Sequence, residues 1–251
     1  MDTTPLPIMK NEAAWQALQR EIVACRRCPR LVAWREETAR TRRRAYAGCQ
    51  YWGRPVPGFG DHNARLLVVG LAPGAHGSNR TGRMFTGDSS GDFLYPALHQ
   101  AGFASQPSSS HAGDGLALRQ TFITALCRCA PPQNKPTKGE IEECRPFLLR
   151  EVTLLENLQG IVALGRMAFD QVLAIHGIRP SPEHRFGHGQ RYSLGEGKPW
   201  LVASYHPSRQ NTQTGRLTKT MFDQVWQLAR ELLERDTSQG SPAQPDRQKR
   251  G

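Results

Sequence analysis

The sequence contains no long run of hydrophobic residues. Its mean hydropathy is −0.56, and only 38% of the 251 residues are hydrophobic. A transmembrane helix needs about 18 or more consecutive apolar residues, and no such run is present. The N-terminal residues MDTTPLPIMKNEAAW lack the basic stretch and apolar stretch of a secretory signal. We therefore expect a cytoplasmic protein that does not bind membranes.

Acidic residues are few relative to basic ones. The chain has 22 Asp and Glu against 33 Lys and Arg, a net charge of +11, and a pI of about 9.8. A pI above about 9 is typical of nucleic-acid-binding domains. Basic termini alone can produce such a value, but many of the arginines lie in the N-terminal fifth rather than in the C-terminal tail. They are Arg26, Arg27, Arg30, Arg35, Arg40, Arg42, Arg43 and Arg44. Their position favours a polyanionic partner.

Disulfide bonds are not expected, because thiols stay reduced in the cytosol. The six cysteines then favour metal ligation or ordinary burial. The candidate ligands are Cys25, Cys28, Cys129 and Cys144. A site made only of thiolates holds zinc or an iron–sulfur cluster, and the residue types do not separate the two. Cys127 is a rival ligand, since in an extended strand it would face the same side as its near neighbour Cys129.

Apolar runs of strand type alternate with helical patterns along the chain. The runs lie at 66–69, 121–126, 161–164 and 201–204, with a further short strand at 192–194. This alternation predicts an α/β fold with a parallel sheet covered by helices on both faces.

The termini are predicted to lie outside the folded domain. Residues 1–10 are expected to be flexible, and Asn11 is a plausible cap for the first helix. The domain is predicted to span 11–235, and its last helix to run from about 217 to 235. Residues 236–251 are polar and rich in Pro and Gly, so we expect a disordered tail. A mobile loop is predicted at 102–115.

A long polar loop after the first strand is the main functional signal. It runs from Gly70 to Gly91 and separates an apolar strand from a helix. Open α/β sheets bind their ligands outside the carboxyl ends of their strands. No Lys-Ser or Lys-Thr pair follows the glycines, so a phosphate-binding P-loop is not supported.

Three segments resemble the motifs of family 5 uracil-DNA glycosylases, the iron–sulfur type of bacteria and archaea. They are GLAPGAHGSNRTGRMFTGDSSGDFL at 70–94, RCAPPQNKPT at 128–137 and YHPSRQNTQTGRLT at 205–218. The cysteine pattern also resembles that family. The resemblance implies a three-layer αβα sandwich around a four-stranded parallel sheet, with a [4Fe–4S] cluster. It also implies hydrolysis of the bond between a damaged base and deoxyribose.

Candidate catalytic residues lie in these motifs. A glycosylase flips its base into a pocket, and Phe85 can supply a stacking face there. His206 is placed to donate to a base oxygen as charge develops. Asp88 is the candidate carboxylate for the sugar cation or the water, although Thr-Gly-Asp-Ser-Ser is also a helix-cap sequence, and Asp92 is the alternative. The resemblance implies that Asn134 contacts base or water; otherwise it is a turn asparagine. The predicted substrate contacts are Gly70, Leu71, Ala72, Gly74, Phe85, Asn134 and His206.

Two positions depart from related glycosylase families. Leu71 occupies the place of a polar, water-activating residue, as the family 5 resemblance predicts. Ala125 replaces a base-reading asparagine. Without that amide we expect looser discrimination, with release of hypoxanthine or similar lesions beside uracil.

Further DNA contacts are predicted in the loop before the last helix. The candidates are Ser208, Gln210, Asn211, Gln213 and Arg216. As a minor-groove probe this loop would fill the gap left by the flipped base, and Leu217 is its only bulky residue. An ordinary helix-entry loop is the alternative. Tyr51 and Trp52, beside Arg54, are expected to pack rather than to stack on bases.

The resulting prediction is a monomeric, monofunctional glycosylase that acts on single- or double-stranded DNA. Lys135 and Lys219 are the only lysines in the three motifs, so Schiff-base lyase chemistry is not expected. A non-catalytic nucleic-acid-binding module with a structural metal site is the main alternative. A zinc-bound phosphotransfer or nucleotide-binding enzyme that uses the glycine-rich loop is a third, and the glycine pattern does not support a phosphate-binding loop.

Overall fold

The computed structural model describes residues 7–179 and 181–239. Within them the chain forms strands separated by helices. The helices are α1 Pro7–Ala24, α2 Pro29–Thr41, α3 Ser78–Thr81, α4 Ser89–Gln100, α5 Lys138–Leu154, α6 Arg166–Ile175, α7 Arg209–Gln213 and α8 Lys219–Gln239. The strands are β1 Phe59–Gly60, β2 Leu66–Gly70, β3 Thr121–Ala125, β4 Gly160–Leu164, β5 Arg191–Ser193 and β6 Trp200–Ser204.

One mixed sheet has the strand order β1-β3-β2-β4-β6-β5. Its four central strands, β3, β2, β4 and β6, are parallel, which confirms the predicted parallel sheet. The two edge strands pair antiparallel to it, so the whole sheet is larger than predicted. Strand β1 was missed because its two residues lie in a Gly- and Pro-rich stretch that reads as loop.

The parallel strands are buried on both faces, as their continuous apolar sequences predict. Side chains alternate between two cores. Leu66 and Val68 of β2 pack on the side of α4 and α8, whereas Leu67 and Val69 pack on the side of α1, α5 and α6. The three-layer αβα arrangement is therefore confirmed. No helix in the described part of the chain is long and apolar enough to cross a membrane.

The ends of the domain differ from the sequence prediction. Helix α1 begins at Pro7, so Asn11 lies inside the helix and does not cap it. Proline is well suited to a first helical turn, because its missing N–H would have no partner there. Helix α8 continues to Gln239, past the predicted end at 235. The remainder of the predicted flexible termini, 1–6 and 240–251, lies outside the described residues.

The predicted mobile loop at 102–115 is anchored to the rest of the domain. The Arg83 guanidinium donates to both carboxylate oxygens of Asp114, at 2.8 and 2.7 Å, and both side chains are buried. Ser109 is buried too, and its hydroxyl lies 2.7 Å from that of Thr86. Composition suggested mobility, because the segment has few bulky residues, but buried polar contacts hold it.

Candidate active site

The four parallel strands end at one edge of the sheet. Gly70 at the end of β2 pairs with Ala125 at the end of β3, and Leu164 at the end of β4 pairs with Ser204 at the end of β6. The loops that follow β2 and β3 therefore leave the sheet side by side, and the loop after β6 leaves the same edge with β4 between it and β2. These loops carry the candidate residues of the three sequence motifs.

Phe85 is held in a conformation that an aromatic residue rarely adopts. Its φ is +51°, in the left-handed region that is costly for bulky side chains. Two glycines make room for it. A Cβ on Gly70 would lie 2.7 Å from the Phe85 ring, and a Cβ on Gly91 would lie 1.8 Å from the Phe85 carbonyl oxygen. The ring centroid lies 5.9 Å from that of His206, so the structure brings these two predicted site residues together.

Asp88 both caps a helix and faces the glycine-rich loop. Its Oδ1 accepts hydrogen bonds from the backbone N–H groups of Ser90, at 3.0 Å, and Gly91, at 3.1 Å, which confirms the capping interpretation. Its Oδ2 packs against two glycines that have no side chain to obstruct it. A Cβ on Gly74 would lie 2.7 Å from this oxygen, and a Cβ on Gly77 would lie 1.9 Å from it. Burial raises the pKa of Asp88, and the two backbone hydrogen bonds oppose that rise. One carboxylate oxygen thus remains for chemistry beyond the cap.

Asp92, the alternative carboxylate, is exposed on α4. Its backbone N–H donates to the Asp88 carbonyl at 3.0 Å in the first turn of the helix. Asp88 is half-buried beside the glycine-rich loop, which makes it the better candidate of the two.

His206 lies just beyond the end of β6 and is neutral at physiological pH. Burial lowers its pKa to about 4. Its backbone carbonyl accepts a hydrogen bond from Asn211 Nδ2 at 2.9 Å, and its Cβ lies 3.4 Å from where a Cβ on Gly165 would be. The sequence analysis predicted that Asn211 contacts DNA. In the structure its side-chain amide instead holds the backbone at His206 through this hydrogen bond.

The backbone next to His206 is positioned by a residue that the sequence analysis missed. His188 Nδ1 accepts from the backbone N–H of Tyr205 at 3.1 Å, and the two rings stack at 5.0 Å. The Arg216 guanidinium lies 4.8 Å from the centroid of the Tyr205 ring. No spacing in the sequence links His188 to Tyr205, because the two meet only when the chain folds.

Asn134 is exposed in a tight turn after β3. Both Gln133 and Asn134 have left-handed backbone conformations, with φ of +55° and +57°. Asparagine tolerates this region better than most residues, so the turn interpretation is confirmed. The turn leaves the Asn134 side chain exposed, as a contact with substrate would require.

The predicted DNA-contact loop contains a helix and has no exposed wedge. Helix α7 is capped by Ser208, whose hydroxyl accepts from the Asn211 N–H. Leu217 is only 1% exposed, so the one bulky candidate belongs to the core. The exposed predicted contacts are Gln210, Gln213 and Arg216.

The four candidate metal ligands come from the end of α1, the start of α2, the loop after β3, and α5. Cys28 packs against Cys129, while Cys144 packs in the sheet core. Cys144 also shares a thiol hydrogen bond with the rival ligand Cys127, which lowers the pKa of Cys144 to about 6. Among residues 7–179 and 181–239, no three Cys, His, Asp or Glu side chains are arranged to hold a metal ion.

Arginine side chains surround these thiols. Arg35 is 2% exposed, and its Nη1 donates to Cys129 Sγ at 2.8 Å. Its Nη2 donates to the Cys25 carbonyl at 3.3 Å, and its buried Nε has no partner. Arg27 Nε lies 3.5 Å from Cys25 Sγ. A buried cation beside a sulfur is stabilised when that sulfur is anionic, so this environment fits thiolate ligands.

The comparisons with known proteins agree with these motifs. The family model for the uracil DNA glycosylase superfamily matches residues 57–230. The chain is 56% identical to a type-5 uracil-DNA glycosylase of Thermus thermophilus over 217 residues, which are 86% of this chain and 97% of that protein. It is 53% identical to a type-5 uracil-DNA glycosylase of Mycobacterium tuberculosis over 212 residues, 84% of this chain and 79% of that protein. A type-4 uracil-DNA glycosylase of Pyrobaculum aerophilum is 32% identical over 131 residues, 52% of this chain and 59% of that protein.

Proposed function

Because the chain belongs to the uracil DNA glycosylase superfamily and groups with its type-5 members, we propose that it hydrolyses the N-glycosidic bond of uracil in DNA. The base leaves from a flipped nucleotide, and an abasic site remains. The observation that carries this proposal is the strained Phe85, whose ring centroid lies 5.9 Å from that of the half-buried His206. A flat apolar face beside a hydrogen-bond donor suits an extruded base.

The proposed chemistry divides between two side chains. Breaking the glycosidic bond places negative charge on the leaving base and positive charge on the sugar. His206, as a neutral imidazole, donates to a base oxygen and stabilises the first charge. Asp88, through its Oδ2, stabilises the sugar cation or orients the attacking water. Leu71 packs against the core beside β2 and has no polar group for either task, which leaves the carboxylate role to Asp88.

His206 gives a prediction about pH dependence. The rate of uracil release is expected to show no inflection near pH 6.5, the ordinary pKa of histidine, because burial lowers the pKa of His206 to about 4. His206→Asn is expected to slow release about a hundredfold, the usual cost of losing one such donor. Single-turnover rates between pH 5 and 9 check both points. An inflection near 6.5 that disappears in His206→Asn would contradict the assignment.

We also propose that Cys25, Cys28, Cys129 and Cys144 hold a [4Fe–4S] cluster. The unpartnered, buried Nε of Arg35 beside Cys129 supports an anionic group at this position. When bound, such a cluster is an electron carrier or a structural clamp. Here its ligands would join α1 and α2 to α5 and to the loop after β3, and so support the edge of the sheet that carries the site.

The cluster proposal predicts a coloured, iron-containing protein. Absorption near 400 nm (roughly, as is usual for such clusters) is expected to be lost in Cys28→Ser, because serine is a poor ligand for the iron of the cluster. Cys49→Ser is the matched control and is expected to retain colour and iron. Iron analysis and visible spectra check the prediction. A colourless protein that binds zinc would exclude the cluster, and loss of colour in Cys127→Ser but not in Cys129→Ser would favour the rival ligand.

The proposed activity is tested with a uracil-containing duplex. Incubation followed by alkali should cut the strand at the uracil, and incubation without alkali should leave it intact, because the proposed enzyme has no lyase step. A protein that binds this duplex without forming abasic sites would instead be the non-catalytic module. Repeating the assay with single-stranded substrate tests which form of DNA it accepts.

A broader lesion range is proposed from Ala125. This residue ends β3 at the edge of the site and is 1% exposed, so its methyl group offers no amide for reading a base. Release of hypoxanthine is therefore expected beside release of uracil, and Ala125→Asn is expected to reduce it. Base release from matched duplexes checks this prediction. Release of uracil alone by the unchanged protein would contradict it.

A further inference from the structure

A groove of about 920 Å³ lies between α1, α2 and the segment 52–57. Its apolar lining includes Val23 and Ala24 of α1 and Ala39 of α2. Trp52 also lines it and is 36% exposed, a large value for a tryptophan side chain in a folded domain. None of the proposed catalytic residues lines this groove, so it is a separate surface.

The groove adjoins the loop between β2 and α4. The backbone N–H of Trp52 donates to the Arg80 carbonyl at 2.9 Å, and that of Gly53 donates to the Asn79 carbonyl at 3.0 Å. The Trp52 ring covers Gly82, where a Cβ would lie 3.0 Å from the ring. One wall of the groove is therefore hydrogen-bonded to the segment between β2 and α4 that carries Phe85.

The groove is strongly basic. Arg20, Arg26 and Arg54 line it against the single carboxylate of Glu36. A fourth lining arginine, Arg35, is 2% exposed and donates to Cys129 Sγ, so it adds little charge to the groove. Glu36 is shared between Arg26, at 3.1 Å, and Arg35, at 3.7 Å. Arg20 and Arg54 have no carboxylate partner among the described residues; Arg54 lies instead 5.7 Å from the Trp52 ring. The surplus of positive charge calls for an anionic occupant.

We infer that this groove binds an unpaired stretch of DNA that flanks the base in the active site, an inference that rests on the proposed function. Trp52 stacks on a base, while Arg20 and Arg54 contact phosphates. Single-strand binders combine a basic groove with an aromatic platform in this way. An acidic peptide would pair with the arginines, but its carboxylates would not stack on the Trp52 ring as a base does. The sequence analysis expected Trp52 to pack; its ring does pack on Gly82, yet more than a third of the side chain stays exposed.

The test measures binding to undamaged single-stranded DNA of about 20 nucleotides, longer than the active site alone needs. Trp52→Ala combined with Arg54→Ala is expected to raise the Kd about tenfold, since one base stacked on an aromatic ring contributes roughly that much. Trp52→Phe, which keeps an aromatic platform, should bind nearly as well as the unchanged protein. Trp34→Ala is the matched control, because Trp34 is 39% exposed on α2 and does not line the groove.

The outcomes separate this inference from the proposed function. The loss in the Trp52 and Arg54 variants should appear as a higher Kd for single-stranded DNA and not as a change in the circular-dichroism spectrum, which reports the fold. The unchanged protein could release no uracil while its Kd for DNA still depended on Trp52 and Arg54. That result would support the DNA-binding groove and contradict the proposed glycosylase function. Unchanged DNA affinity in the double variant, with circular dichroism showing an intact fold, would overturn the groove. An equal loss in Trp34→Ala would overturn it too, as would binding of a glutamate-rich peptide in place of DNA.

Discussion

Replacing Asp88 by asparagine is expected to slow uracil release about a thousandfold, within the range usual for a lost acid–base group. The fold should survive, because an asparagine side chain caps a helix about as well as an aspartate and its oxygen can accept from the same Ser90 and Gly91 N–H groups. The substitution therefore removes the charge and keeps the cap. Single-turnover release from a uracil duplex measures the rate, and urea unfolding measures the stability.

Two controls sharpen this experiment. Asp92→Asn removes the neighbouring exposed carboxylate and should leave the rate within about twofold, since surface charges are screened. Burial raises the pKa of Asp88 above its ordinary value of 3.8, so release by the unchanged protein should decline at a pH above 3.8 as the carboxylate gains a proton. Full activity in Asp88→Asn would refute the mechanism while leaving the function possible.

The second large effect concerns stability rather than rate. Glu151 of α5 and Arg128 form an ion pair at 2.6 Å in which both side chains are 1% exposed. Thr124 of β3 donates to the same carboxylate oxygen at 2.6 Å. Glu151→Gln would leave the guanidinium buried without a counter-ion, a change that costs about 3 kcal/mol or more of unfolding free energy. Urea denaturation is the measurement.

A matched control lies on the same helix. Glu142 is 48% exposed and lies 3.9 Å from Lys138, so Glu142→Gln should change stability by about 0.5 kcal/mol or less. Equal effects of Glu142→Gln and Glu151→Gln would show that burial does not set the strength of the Arg128 pair. A selective loss in Glu151→Gln should also weaken the proposed metal site, because Arg128 lies between Cys127 and Cys129.

The sheet was predictable because its strands carry a strong local signal. The run Leu66–Val69 is apolar without interruption, as expected for a strand covered on both faces. Strand β1 carries no such signal, since Phe59 and Gly60 pair with β3 only through tertiary contacts. The predicted start of α1 at Asn11 was wrong for a related reason. Asn11 is a good cap in isolation, but Pro7 begins the helix earlier.

The candidate site residues could be named from the sequence, but their supporting contacts could not. Asp88 could be named as a candidate from its motif, yet only the folded structure shows that it caps α4 with one oxygen and faces the glycine-rich loop with the other. The bond from Asn211 to the His206 carbonyl could not be foreseen, because a polar side chain in a loop suits DNA and backbone equally well. Leu217 shows the opposite error, since an apolar residue in a polar loop proved to be core.

The separation of Phe85 and His206 along the chain has a consequence for how the protein is made. Phe85 follows β2, whereas His206 follows β6, and β4 lies between those two strands in the sheet. A ribosome must therefore release most of the chain before the two rings can meet. Until then the nascent protein has no complete pocket for a base. Any product of interrupted synthesis that ends before β6 would thus lack His206 and the pocket that it completes.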